Sequence, residues 1–179
     1  MQEIDIGKYR SFSVIGTARS GVAAAKLLKK KGFNVLLSEA ATEEKIDKKF
    51  VADIREADIN AEFGGHSSKV FENDALVVSP GVEQNSAVIQ GALSKGIEVF
   101  SEIEIASCFC KGKIIAITGT NGKTTTTTLV GDIFKNAGFN TFVCGNIGTA
   151  FSEFAEEMTG DSVAVLEVSS FQLDNIKYF

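Results

Sequence analysis

Seven consecutive residues, Gly119, Thr120, Asn121, Gly122, Lys123, Thr124 and Thr125, combine the side chains and spacing needed to hold a nucleoside triphosphate. Gly119 and Gly122 let backbone N–H groups close around an anion, and a helix beginning near Lys123 adds its positive end. The Lys123 ammonium can reach the terminal phosphates, and the Thr124 hydroxyl can hold Mg2+. The motif therefore reads as an ATP site of the phosphate-loop type. It is a shortened variant, because Ile117 stands where the full eight-residue signature has glycine. The threonine run from Thr125 to Thr128 otherwise suits helix surface and packing. A second candidate for the same chemistry is Glu167, which ends an apolar strand ahead of Val168-Ser169-Ser170-Phe171-Gln172. Its carboxylate is a suitable hard ligand for magnesium, which makes Lys123 and Glu167 the catalytic candidates.

Another glycine-rich turn, Gly16-Thr17-Ala18-Arg19-Ser20-Gly21, follows an apolar strand and opens a helix, as a pyrophosphate-binding turn requires. Glu39 lies 18 residues after Gly21 at the end of the next strand, where an acidic residue can accept from ribose hydroxyls or a base N–H. The same turn can also serve helix–strand packing alone. Ser79-Pro80-Gly81 and Gly145-Asn146-Ile147-Gly148 each close a strand at its carboxyl end, the edge where open α/β sheets bind ligands, and each is equally compatible with a plain turn.

These turns need strands and helices to position them. Short apolar runs predict strands over 12–15, 34–37, 59–63, 75–79, 97–100, 113–118, 140–144 and 162–168. Helices are expected from about 21 to 31, 43 to 54 and 86 to 95, and after the phosphate loop, where Leu129, Val130, Ile133, Phe134 and Ala137 recur with helical period. The β-branched run Lys113–Ile117 reads as a buried parallel strand. The fold class is α/β: a Rossmann-like doubly wound parallel sheet over residues 1–100, followed over 101–179 by the incomplete start of a P-loop ATPase domain. Three strands are fewer than such a domain needs, so the chain is expected to be truncated.

Composition sets the bounds. A chain of 179 residues with 44% hydrophobic content can bury a real core. A net charge of −5 argues against nucleic acid as a partner. No window approaches the roughly 20 apolar residues of a membrane span, and the start lacks signal-peptide order, so a cytoplasmic location is expected. Cys108, Cys110, Cys144 and the lone His66 assemble neither a zinc cluster nor a disulfide framework, and the thiols are expected to serve packing.

Taken in order, the turns at 16–21, 79–81, 117–125 and 145–148 and the run Glu167-Val168-Ser169-Ser170-Phe171-Gln172-Leu173 resemble the Mur ligases over the whole chain. Ser-Ser-Phe-Gln-Leu is similar to the form found in the branch that adds D-glutamate. The resemblance implies an ATP- and Mg2+-dependent amide ligase of peptidoglycan synthesis that joins D-glutamate to UDP-N-acetylmuramoyl-L-alanine through an acyl phosphate. It implies that Arg19 and Ser20 bind the UDP part, that Glu39 lies near the uridine and Gly81 near the diphosphate, and that Asn146 and Ser169 contact substrate. Further magnesium ligands, among them a carbamylated lysine, would come from beyond Phe179. The chain by itself is then expected to bind the UDP part without catalysing, and to be monomeric. Two departures stand out, Ala18 where the family often has glycine and Glu39 where it often has aspartate. No residue offers a convincing general base for the D-glutamate amine. The rival readings are an NAD-dependent oxidoreductase, for which a second phosphate loop would have no use, a related ligase of different amino-acid choice, and a non-enzymatic binding module.

Overall fold

The computed structural model describes residues 4–179, and its strands form two parallel sheets. The first contains β1 (Ser11–Ile15), β2 (Asn34–Glu39), β3 (Asn60–Phe63), β4 (Ala75–Val78) and β5 (Glu98–Ser101), in the order β3-β2-β1-β4-β5. Helix α1 (Arg19–Lys30) joins β1 to β2, α2 (Lys48–Glu56) joins β2 to β3, and α3 (Ala87–Ser94) joins β4 to β5. Period-two alternation divides the strand residues between two cores. Phe12, Val14, Leu37 and Val77 pack with Val22, Ala25 and Leu28 of α1 on one face. Ile15, Leu76 and Val78 pack with Val88, Ile89 and Ala92 of α3 on the other. This is the doubly wound arrangement expected. The helix anticipated over 43–54 is broken: a 3-10 turn at Glu43–Lys45 precedes α2, which starts late because the Asp47 side chain accepts from Lys49 N–H and caps it there.

The second sheet has the order β6-β8-β7, formed by β6 (Lys113–Ile117), β7 (Asn140–Gly145) and β8 (Ser162–Glu167). Between the sheets runs α4 (Glu102–Ser107); α5 (Lys123–Asn136) follows β6, and two single-turn helices, α6 (Phe151–Phe154) and α7 (Ser170–Leu173), follow β7 and β8. Within this sheet β8 is buried along its whole length, and β6 and β7 are not. The expectation that Lys113–Ile117 is a buried strand is corrected. β6 pairs with β8 alone and is an edge strand, with Ile114, Ile115 and Ile117 half-buried. The apolar period of α5 also misleads about its packing face. Thr127 and Gly131 are the residues it buries, and a Cβ on Gly131 would stand 2.4 Å from Val143 Cγ2. Leu129 and Ile133 remain 59% and 56% exposed. Three strands span only about 10 Å, so the wide apolar stripe of the helix overhangs them.

A third core joins the two sheets, with Leu27 of α1 and Ile103 of α4 packed among Phe151, Met158, Ala164 and Leu166. Two buried glutamates of α4 secure it. Glu102 Oε1 accepts from Ser152 N–H (2.7 Å) and hydroxyl (2.5 Å), while Glu104 accepts from the backbone N–H groups of Lys177, Tyr178 and Phe179. Burial pushes the Glu102 carboxyl up despite the bonds from Ser152. No helix among the described residues is long and apolar enough to cross a membrane.

Candidate functional site

The first sheet reverses its direction of winding at β1, whose neighbours β2 and β4 are reached by connections on opposite faces. A crevice opens at the carboxyl ends of strands at such a switch point. It is a cavity of about 670 Å3 lined by the turn 16–20, by Glu39, His66 and residues 79–82, and by Asn146 and Gln172 from the second unit. Glycine is required twice in its floor. Gly16 has φ +98, and a Cβ on Gly21 would lie 2.0 Å from Gly16 O and 2.5 Å from Ser79 Oγ. The turn is thus clamped between α1 and the end of β4, leaving the first-turn N–H groups of α1 to meet an anion. Ser20 is buried in that first turn, and Gly81 is exposed with open space around it.

Glu39 holds the turn. Its Oε2 accepts from Thr17 N–H and hydroxyl, both at 2.8 Å, and its Oε1 accepts from Ala41 N–H at 2.9 Å. Burial works against its charge, but the N–H groups of Ala41 and Thr17 and the Thr17 hydroxyl outweigh it and hold the carboxyl below its ordinary range. Arg19 reaches across the junction: its guanidinium donates to Gly148 O and, at 3.0 Å, to Asn146 O. Its Nε is buried without a partner.

In the second unit the loop between β6 and α5 has the conformation its glycines permit, with φ +151 at Gly119 and +76 at Gly122. Lys123 Nζ folds over the loop, 2.7 Å from Gly119 O and 3.4 Å from Thr120 O. Thr120, Asn121 and Thr125 are exposed around it. The parallel register sets Ile117 and Gly145 on either side of Glu167, so the sheet delivers that carboxylate to the mouth of the loop. Glu167, 2% exposed, accepts from Thr124 Oγ1 at 2.7 Å and from Asn146 Nδ2 at 2.8 Å. A hydroxyl and a carboxylate in contact, hard oxygen donors both, suit a divalent cation whose other positions are filled by phosphate oxygens and water. The set is incomplete as an all-protein cage, since no cluster of three His, Cys, Asp or Glu occurs among the described residues. Ser169 caps α7 in a capping box with Gln172, whose side chain is buried.

Asn146 links the two regions, since it lines the first crevice and donates to the carboxylate of the second. The residues missed by the sequence reading are Thr17, which ties Glu39 to the turn, and the chain Ser38–Glu62–His66 behind it. His66 lacked any partner at a recognisable spacing; its place three residues beyond the carboxyl end of β3 was the available signal.

Residues 10–101 match the family described as Mur ligase MurD-like, N-terminal domain, and residues 117–178 match the Mur ligase middle domain. The chain belongs to the Mur ligase family. Curated Mur ligases similar to it include the UDP-N-acetylmuramoylalanine--D-glutamate ligase of Salinibacter ruber, 48% identical over 172 residues, covering 93% of this chain and 37% of that protein. The enzyme of the same name from Chloroherpeton thalassium is 46% identical over 176 residues, with 96% and 37% covered. The chain thus spans little more than a third of these relatives. Among solved structures, a pseudomurein peptide ligase type C from Methanothermus fervidus superposes with TM-score 0.51 at 27% identity, covering 90% of this chain and 33% of that one. A UDP-N-acetylmuramate:L-alanyl-gamma-D-glutamyl-meso-diaminopimelate ligase from Neisseria shares the fold, with TM-score 0.57 at 18% identity over 91% and 55% of the two chains. The Mur ligase fold is therefore present in both sheets.

Proposed function

We propose that this chain is the substrate-binding and phosphate-loop portion of an ADP-forming ligase that adds D-glutamate to UDP-N-acetylmuramoyl-L-alanine in peptidoglycan synthesis. Residues 1–100 hold the UDP part, and 101–179 open the ATP-binding domain. The observation that carries the reading is the contact between Thr124, Glu167 and Asn146, because it connects a phosphate loop to a crevice fit for a nucleotide diphosphate. In the complete enzyme the γ-phosphoryl of ATP passes to the substrate carboxylate with release of ADP, and the amine of D-glutamate then attacks the acyl carbon and expels phosphate. Lys123 neutralises charge on the phosphoryl oxygens, and the backbone at Gly119 to Thr125 cradles the phosphates. Thr124 and Glu167 are the residues that would hold magnesium, which would neutralise charge on the phosphates when bound. Arg19 acts on the substrate side indirectly, by fixing the turn at Asn146 against the first crevice, while Ser20, Glu39 and Gly81 shape its wall. Ser169, as the cap of α7, acts there through Gln172.

The test is the melting temperature of the 179-residue chain with UDP-N-acetylmuramoyl-L-alanine, UDP, Mg-ATP and NADH at equal concentrations, since a ligand of the folded state alone must stabilise it. The muramoyl nucleotide and UDP are expected to raise it and NADH to leave it unchanged; stabilisation by NADH alone would overturn the proposal. The isolated chain is expected to release no ADP, and substrate-dependent release would contradict its predicted inactivity.

A further inference from the structure

Asn146 stands in the turn 145–148 after β7, a tip where side-chain packing fixes little, since Asn146 and Gly148 are both exposed. The turn is closed by Gly145 N–H donating to Thr149 O at 2.9 Å, and tied to β8 by Asn146 N–H donating to Glu167 O at 2.7 Å. Its outward carbonyls are held from the first unit. One terminal nitrogen of Arg19 donates to Gly148 O and the other to Asn146 O, so the planar guanidinium spans the turn as a fork. Arg19 takes part in none of the ion pairs among the described residues, and as the first residue of α1 it is carried by a packed helix. Farther along the same segment, Ser152 is fixed by Glu102 of α4.

What the tip positions is a carboxylate. The last torsion of a glutamate is broad and roughly two-fold, so the side chain alone does not decide which oxygen faces the phosphate loop. Its partners decide. Asn146 Nδ2 holds Oε1 at 2.8 Å, which leaves Oε2 to meet Thr124 Oγ1 at 2.7 Å. The contacts run without a break from Arg19 to Asn146, from Asn146 to Glu167 and from Glu167 to Thr124. Arg19, at one end, lines the crevice of the first sheet; Thr124, at the other, lies in the first turn of α5 behind the phosphate loop.

We propose that Arg19 is a positioning residue for the phosphate loop: by forking across Asn146 O and Gly148 O it keeps the Asn146 amide on Glu167, and so orients the carboxylate that, with Thr124, would hold the cation of Mg-ATP. This rests on the phosphate-loop reading given above, and it gives a residue of the first unit a part in binding at the second. Without the fork the tip is released, the amide leaves Oε1 and the carboxylate turns. The loss then falls on ATP bound with its cation, because the backbone of the loop and Lys123 still meet the phosphates.

The experiment measures by calorimetry the affinity of the full-length enzyme for ATP with Mg2+ and for ATP with EDTA. It compares the native sequence with Arg19→Ala, Asn146→Ala and the double variant, with melting temperatures to verify folding. Arg19→Ala is expected to weaken Mg-ATP binding roughly tenfold, within the range of couplings inside one hydrogen-bonded network, and to leave ATP in EDTA unchanged. Asn146→Ala should weaken Mg-ATP by a similar factor, and adding Arg19→Ala to it should change nothing further, because the route to the carboxylate is already gone. Arg19→Lys keeps the charge but cannot fork to both carbonyls, and should fall between the native sequence and Arg19→Ala. A guanidinium acting through its charge alone would weaken ATP with and without Mg2+, would do so equally in the Asn146→Ala background, and would be replaced in full by lysine. Any of these three results would overturn the assignment while leaving the phosphate-loop reading intact. Failure of the folded native enzyme to bind Mg-ATP would overturn both.

Discussion

The chain uses strand, glycine turn and helix twice, after β1 and after β6, and the two copies differ in what fills the turn. At the first, α1 presses so closely on the turn that a methyl group at Gly21 would enter Gly16 O and Ser79 Oγ. At the second, a Cβ on Gly122 would meet nothing within 4 Å, and glycine is needed there for φ +76 alone. The first strand is central, paired on both sides and buried; the second is an edge, paired only with β8. One turn is thus held by packing and offers a preformed crevice. The other is held by backbone conformation and by the Glu167 carboxylate, and stands open. The same motif gives a turn clamped by packing or an open turn according to how many strands surround it.

That contrast can be broken at several points. On the ligase function proposed above, the largest effect is expected from Lys123→Ala in the full-length enzyme: a loss of ligation of about 1,000-fold or more, as for removal of a positioned charge on a transferring phosphoryl group, with binding of the UDP substrate unchanged. Parallel loss of both, measured by steady-state kinetics and calorimetry, would mean the two turns do not act separately. Gly21→Ala should then cost about 3 kcal/mol or more through overpacking against backbone, whereas Gly122→Ala should cost about 1 kcal/mol of backbone strain; urea unfolding of the two variants side by side checks the difference in turn packing. Next, Leu28→Ala in the core beneath α1 is expected to lose about 2–3 kcal/mol, while Leu129→Ala on the overhanging face of α5 stays within about 0.5 kcal/mol. Equal losses would show that α5 is covered in solution.

The smallest effect concerns the stitch between the two regions. Glu98 accepts from Lys8 and Tyr9 of the first unit and from Lys177 of the second. The Lys8 ammonium, ahead of the Tyr9 hydroxyl, draws its carboxyl from 4.5 down to about 2. A depressed carboxyl contributes stability above its unfolded value and loses it as pH falls through the folded one. Glu98→Gln is therefore expected to flatten the stability curve between pH 4.5 and 2 and to leave its slope near neutrality unchanged; a change confined to neutral pH would refute the linkage.

Much of this was legible in the residues. The strands at 11–15, 34–39, 75–78 and 162–167 are short β-branched or apolar runs bounded by turn residues, and both glycine turns lie between a strand and a helix as their spacing requires. Contacts between residues far apart in the chain were not legible. Arg19 lines the crevice, and its guanidinium also meets carbonyls at Asn146 and Gly148, contacts that leave no trace in residue type. The capping box that joins Ser169 to Gln172 was not read from the residues either. His66 meets Ser38 on the neighbouring strand, which in turn meets Glu62 near the end of β3.

The sequence by itself determined the α/β class and the two glycine-rich turns between strand and helix, because periodicity and glycine placement act over a few residues. The tertiary structure alone decided that β6 is an edge, that α5 packs through Thr127 and Gly131, and that Asn146 joins the two sites. Those outcomes depend on which strands are neighbours and on how much surface they offer a helix, and neither quantity is a property of any local stretch of chain.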